Sequence, residues 1–490
     1  MPRLPHVKII PAVIAFFVTI SFYLFIIPVP DGVKENAWQL LGIFIGTIVA
    51  IIGKALPIGG AAMIGILLVG ITQVTNPGNP GEAMKDALSG YSNTLIWLIG
   101  IAFFISRGFI KTGLGARLAF YFVRMIGKKT LGISYGLSFA ELVLSPVMPS
   151  NTARGGGVMY PITRSIAESM GSKPDEGSRK KLGAFLTLVS YQVNIITCAM
   201  FITATAPNPL VVAGIKDVAG ITVSWGQWAW AAFVPGLVAL LLIPLVIYKF
   251  YPPEVKETPN ASEFAKTKLA EMGPIKLEEW FMIGVFFLLL GIWSGVPQLL
   301  SDSPLFKVDA TAGAFVGLGV LLFSGVLTWD DLLKEKGAWD TVTWFSSLVM
   351  MATFLNKLGL VAWFSTEIQN SISHLGLDWF SAAAILTLIY VYVHYFFASN
   401  TAHISALFAS FFGVGVALGA PPLMFGLFLG FCSSLCASLT HYGTGSAPVL
   451  FGAGYVTMGE WWRWGFVVSV LNLIIWLGAS AAWWKVIGLW

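Results

Sequence analysis

The peptide Ser-Asn-Thr-Ala followed by a basic residue occurs twice, at Ser150–Arg154 and at Ser399–His403, 249 residues apart. Each copy lies in the middle of a long apolar stretch, where hydroxyls and amides are poor choices for a lipid-facing helix because they favour turns and local side-chain bonds. A second polar interruption follows each copy. The first is Thr203–Pro209, which contains Thr205, Pro207 and Asn208; the second is His441–Pro448, which contains Thr444, Gly445 and Ser446. Helix ends at such breaks expose backbone N–H groups with partial positive charge, which favour anions. Ser150, Asn151 and Thr152, and their counterparts Ser399, Asn400 and Thr401, add neutral donors able to hold a carboxylate. No Asp or Glu lies in either tetrapeptide or either break, which argues against a cationic substrate. Two such tips facing each other predict one small substrate with an anionic group at each end.

The rest of the chain explains where these breaks sit. Of 490 residues, 56% are hydrophobic and only 11% charged, with a mean hydropathy of +0.79. Soluble domains carry about 25% charged residues, so a soluble enzyme, a disordered chain and a disulfide scaffold are all excluded. The composition is that of an all-α polytopic membrane protein. Spans are predicted over Ile9–Ile27, Trp38–Ala55, Thr94–Phe109, Trp228–Tyr248, Trp280–Val296, Ala312–Leu327, Thr341–Leu355 and Trp464–Trp484, each long enough for a hydrocarbon core of about 30 Å. Cys198, Cys432 and Cys436 lie in apolar runs and read as buried small residues. The net charge of +5 fits a cationic cytoplasmic rim and needs no nucleic-acid partner. No sequence pattern calls for a cofactor or a resident metal.

The order of features repeats. Lys111-Thr-Gly-Leu-Gly precedes the first tetrapeptide and Lys357-Leu-Gly-Leu the second, 246 residues apart, and each tetrapeptide is followed by a broken apolar segment. Irregular backbone at membrane depth is tolerated only where protein or water surrounds it. The stretches 132–167 and 379–418 therefore read as two re-entrant hairpins. Seven basic residues flank the first hairpin (Arg124, Lys128, Lys129, Lys173, Arg179, Lys180 and Lys181), while 366–380 and 413–422 have none. The positive-inside rule then places the first hairpin and the amino terminus on the cytoplasmic side and opens the second hairpin outward. This is the pattern of an inverted-repeat secondary transporter in a plasma (inner) membrane. The predicted organisation is scaffold helices over 1–90, a first transport half over 91–222, scaffold helices with a central loop over 223–340, a second transport half over 341–460, and a terminal helix over 461–490.

Arg154 and His403 stand at matching places after the two tips. An ionisable residue at membrane depth costs roughly 2.5–3.5 kcal/mol, so both are functional candidates. The plain alternative is a side chain that snorkels to the surface or makes a satisfied polar contact.

On these residues the sequence resembles the divalent anion/sodium symporter family, which includes bacterial citrate and tartrate antiporters and plastid 2-oxoglutarate/malate translocators. The resemblance covers nearly the whole chain. It implies a homodimer of about eleven transmembrane helices plus two hairpins per protomer, working by an elevator mechanism. It also implies that both Ser-Asn-Thr tips hold substrate carboxylates and that Thr205–Asn208 and Thr444–Ser446 complete the pockets. Sodium-coupled members cage two sodium ions there, whereas this chain places Arg154 and His403 beside those positions. The exchanger branch is the better match, through Phe396–His403 and Trp461–Gly465. The expectation is a sodium-independent dicarboxylate antiporter for 2-oxoglutarate, malate, succinate or fumarate. Its empty site would keep the uncompensated charge of Arg154, and a second charge when His403 is protonated. A sodium-coupled symporter and a citrate or tartrate exchanger are the nearest alternatives. An intramembrane enzyme is remote, because Glu141 has no evident second acid and no His-Glu-x-x-His spacing occurs.

Overall fold

The structure, a computed structural model, describes residues 7–174, 177–300, 303, 308–372, 378–397 and 399–490. His374, read from sequence as interfacial, lies outside the described residues. Among those described, the chain is helical with no β-strand, and eight helices are long and apolar enough to cross a membrane. The predicted spans are present as helices, among them Glu35–Ile52, Thr94–Thr112, Trp225–Phe250, Leu277–Trp293, Lys336–Lys357 and Met458–Val486.

The order of elements repeats as the motifs do. Helix Thr94–Thr112 stops at Gly113 and helix Lys336–Lys357 stops before Gly359. Both glycines have positive φ, +77° and +89°, a conformation that L side chains rarely adopt. Each glycine is followed by a 13-residue helix, Leu114–Ile126 and Leu360–Ile372, neither of which the span pattern singles out. Then comes a helix, a break and a helix: Thr130–Leu144 into the π-helix Thr152–Met159 and the α-helix Tyr160–Ser169, and Trp379–Tyr392 into Asn400–Ala417. The second broken segment follows in each half, interrupted at 202–204 and at 436–439. A long helix closes each half, and both are started by capping boxes, Ser224 with Gln227 and Thr457 with Glu460. Such reciprocal bonds satisfy two of the N–H groups that a helix start leaves open.

The chain divides into two compact units that cut across these halves. One comprises Met1–Gly100, Pro209–Val223 and Lys336–Leu429. In it, helix Ile58–Thr72 begins after Pro57, which supplies no side-chain cap. The Asp340 carboxylate takes that role, accepting from the Gly59 N–H at 3.2 Å, and the Ser347 hydroxyl donates to the Ala62 carbonyl at 2.9 Å. Small residues and interhelical polar contacts of this kind are how helices associate in lipid.

The other unit comprises Ile101–Asn208, Ser224–Glu335 and Gly430–Trp490. The central connection, read from sequence only as a polar loop, contains the helix Pro259–Met272. Its end is held by Arg117, whose guanidinium pairs with Glu279 at 2.6 Å and donates to the Gly273 carbonyl at 2.8 Å. On the same unit the Lys111 ammonium meets the Asp331 carboxylate at 2.6 Å. Lys111 and the Thr328 N–H hold the Asp331 carboxyl down at about 2.

Candidate functional site

Both tetrapeptides start helices, and their serines act as the caps. The Ser150 hydroxyl accepts from the Ala153 N–H at 3.1 Å while its carbonyl accepts from the Arg154 N–H at 2.8 Å. The Ser399 hydroxyl accepts from the Ala402 N–H at 3.4 Å, and its carbonyl from the His403 N–H at 3.1 Å. The serines are thus engaged with their own helices, and Asn and Thr are the side chains each tip offers.

The first tip lies in the unit that holds 430–490. There Ser150, Asn151 and Thr152 are half-buried. The Asn151 amide donates to the Thr444 hydroxyl. Gly445, which is exposed, passes so close to Thr152 that a Cβ on it would stand 2.1 Å from the Thr152 hydroxyl oxygen. The first-half tip and the second-half break are therefore brought together. Ser446 sits deeper, fully buried, and its hydroxyl donates to Asn194 Oδ1 at 3.0 Å. The other predicted segment also lies behind the surface. Thr205, Pro207 and Asn208 are buried, and the Asn208 amide donates to the Cys198 and Phe201 carbonyls at 2.7 and 2.8 Å. The Cys198 carbonyl is one of those a helix end leaves open, and the Phe201 carbonyl also accepts from the Ala204 N–H at 3.1 Å, so Asn208 bridges the break and accepts from the Ser434 hydroxyl at 3.0 Å.

Arg154 is fully buried and does not snorkel. Its Nε donates to Glu141 Oε1 at 2.6 Å, and one terminal nitrogen donates to the Ala204 carbonyl at 2.8 Å and to the Met148 carbonyl. The other terminal nitrogen reaches the Thr197 hydroxyl at 3.5 Å and the Cys198 sulfur at 3.3 Å. The expectation of an uncompensated cation in the empty site is overturned by this pairing. Glu141, on the opposite arm of the same hairpin, cancels the charge.

Glu141 Oε1 also accepts from the Asn194 amide at 2.6 Å and from the Thr197 hydroxyl at 3.4 Å. Glu141, Asn194 and Thr197 were not among the predicted site residues. The available signal was Glu141 itself, an acid inside an apolar stretch, where such residues are rarely without a partner.

The second tip lies in the unit that holds 336–429. Thr401 is half-buried and its carbonyl accepts from the Ser405 hydroxyl at 2.8 Å, while Asn400 is 7% exposed. His403 is fully buried among rings, with centroids of Tyr390, His394 and Phe397 at 4.4, 5.0 and 5.1 Å. On the first unit described for the tip, His441 accepts at Nδ1 from the Trp462 indole at 3.1 Å, which places its neutral-form proton on Nε2.

Comparison with known proteins gives this geometry a context. The family model described as the sodium:sulfate symporter transmembrane region matches residues 6–490. A putative malate transporter of Bacillus subtilis (strain 168), YflS, is 52% identical over 484 residues, covering 99% of this chain and 98% of that protein. The chloroplastic dicarboxylate transporter 1 of Spinacia oleracea is 46% identical over 464 residues, covering 95% of this chain and 79% of that protein. Among solved structures, the Alcanivorax borkumensis YdaH transporter, reported to have an unusual topology, aligns with a TM-score of 0.56 at 12% identity. It covers 93% of this chain and 99% of that one, and the likeness is one of fold alone.

Proposed function

The chain belongs to the sodium:sulfate symporter family, and on that premise we propose that it exchanges small dicarboxylates across the membrane without a coupling sodium ion. The observation that carries the second half of this reading is the Arg154 guanidinium. It occupies a carboxylate oxygen and two backbone carbonyls, those of Glu141, Met148 and Ala204, which are hard oxygen donors of the kind an alkali cation requires. A covalently attached cation there does the work of an exchangeable one.

The substrate class is supported by the relatives named as malate and dicarboxylate transporters and by the donors at the tips. Asn151 and Thr152 with Thr444 and Gly445, and Asn400 with Thr401, are the groups we assign to carboxylate binding. Malate, succinate, fumarate and 2-oxoglutarate are the proposed substrates. Thr205, Pro207, Asn208 and Ser446 shape the pocket from behind. His403, buried in its aromatic cluster, takes the corresponding position at the second tip.

Exchange follows from the donors rather than from a bare charge. An empty tip must cross with N–H and O–H groups unsatisfied, at about 1–3 kcal/mol for each one kept from water. A bound dicarboxylate satisfies several at once, so the loaded site crosses more readily. An elevator-type movement and a homodimer belong to this proposal through the family resemblance, and a plasma-membrane location through the charge and repeat pattern of the sequence.

The test is uptake of labelled malate into malate-loaded proteoliposomes. Replacing sodium by choline should leave the rate unchanged; a collapse of uptake in choline would establish a sodium-coupled symporter instead.

A further inference from the structure

Arg154 has five N–H donors, and each is directed at a protein group: Glu141, Met148, Ala204, Thr197 and Cys198. None remains for a substrate carboxylate. The guanidinium can reach a bound anion only through its field, and that field is cancelled at 2.6 Å by Glu141. Glu141 is itself 2% exposed, and its second oxygen, Oε2, is buried with no hydrogen-bond partner. A carboxylate serving only to anchor a structural arginine would be expected to use both oxygens, since the bidentate arrangement is the stronger one. Here one oxygen receives three donors, from Arg154, Asn194 and Thr197.

The second of those donors ties the pair to the pocket wall. With its Nδ2 turned to Glu141, Asn194 must present Oδ1 to the other side, where the Ser446 hydroxyl donates to it at 3.0 Å. Ser446 adjoins Gly445, which touches Thr152. Glu141 is therefore two hydrogen bonds from the loop that lines the first tip, and its charge balances that of Arg154 beside that tip.

We propose that Glu141 determines which charge class of substrate this protein accepts. By neutralising Arg154 it leaves the first tip with only helix-terminus and hydroxyl or amide donors, which suits a dianion. Without Glu141 the same pocket would hold one more positive charge in a medium of low dielectric and would favour a trianion. The inference rests on the dicarboxylate site proposed above, and Glu141 acts in it as a positioning and charge-setting residue that does not touch substrate.

The experiment compares wild type, Glu141→Gln and Glu141→Asp in malate-loaded proteoliposomes at neutral to mildly alkaline pH. Inhibition of labelled malate uptake is measured for succinate as the dianion and citrate as the trianion. Glu141→Gln should raise the citrate-to-succinate potency ratio by roughly tenfold or more, the size expected for one added charge acting near the site at reduced dielectric. Glu141→Asp keeps the charge and should keep the wild-type ratio even if turnover falls. An unchanged ratio in Glu141→Gln, or an equal change in both variants, would overturn the proposal. Should Glu141→Gln fail to fold, the double variant Glu141→Gln with Arg154→Gln removes both charges and should show the wild-type ratio; a shifted ratio there would also overturn it. Wild type that exchanges no dicarboxylate would instead refute the site reading on which this inference stands.

Discussion

Replacing Arg154 by alanine is predicted to turn this protein into one that sodium stabilises. The substitution leaves Glu141 Oε1, the Met148 and Ala204 carbonyls and the Thr197 hydroxyl around the vacated space. Removing one partner of a buried ion pair costs roughly 3–5 kcal/mol, and each orphaned carbonyl adds about 1–3 kcal/mol where water cannot replace the donor. With unfolding entropy near 2.1 cal/mol/K per residue, a chain of 490 residues changes its midpoint by about 1 °C per kcal/mol. The variant should therefore melt some 5 °C or more below wild type in choline chloride. The four oxygens it exposes are suitable ligands for sodium, and a ligand at 100 times its Kd restores about 2.7 kcal/mol. Saturating sodium should return roughly 3 °C at equal ionic strength, while wild type should melt identically in both salts. The assay is thermal unfolding of the purified protein in detergent. Equal midpoints for Arg154→Ala in sodium and choline would refute the idea that Arg154 stands where a coupling cation would.

Three other outcomes follow from the same site and its surroundings. Thr152→Ala removes a hydroxyl donor at the first tip, and a lost charge-assisted bond of about 1.5–3 kcal/mol should weaken dicarboxylate affinity tenfold or more; wild-type affinity in a folded Thr152→Ala would take Thr152 out of the site. In Gly445→Ala the new Cβ would fall 2.1 Å from the Thr152 hydroxyl, so affinity should drop. Combining it with Thr152→Ala should cost little beyond Thr152→Ala alone, because the two residues share one contact; fully additive losses would contradict that geometry. Asp331, held down at about 2 from its ordinary 3.8 by Lys111 and Thr328, contributes stability that is present at neutral pH. That contribution is lost as pH falls from about 4 towards 2. Lys111→Met should flatten that part of the acid-stability profile, and an unaltered profile would show the pair to be inert.

Much of the fold is legible in the sequence because its breaks are chemical. Ser-Asn-Thr at 150–152 and at 399–401 marks two helix starts, since a serine cap and a following alanine N–H need only local geometry. Gly113 and Gly359 mark two helix stops for an equally local reason. The helices Leu114–Ile126 and Leu360–Ile372 were harder to see, being too short to span and of mixed polarity. The helix Pro259–Met272 was hidden by a surface composition that suits either a loop or an exposed helix. In the site, the tips and breaks can be named from the sequence, but the meeting of the first-half tip with the second-half break, Asn151 with Thr444, cannot, because it depends on packing between distant segments. Nor can the Glu141–Arg154 pair, because whether residues 13 apart meet depends on how the chain turns through 145–150. Asn208 shows the opposite error. Its residue type suits a ligand, but the Cys198 and Phe201 carbonyls at the helix break take its amide.

The central claim, dicarboxylate exchange without sodium, is tested most directly by efflux of labelled malate from proteoliposomes into sodium-free buffer, with and without external malate. Efflux into empty buffer should be slow and should accelerate strongly once external malate is added, with the same rates when sodium is restored. Rapid efflux into sodium-free buffer lacking any counter-substrate, or exchange that appears only with sodium, would contradict it.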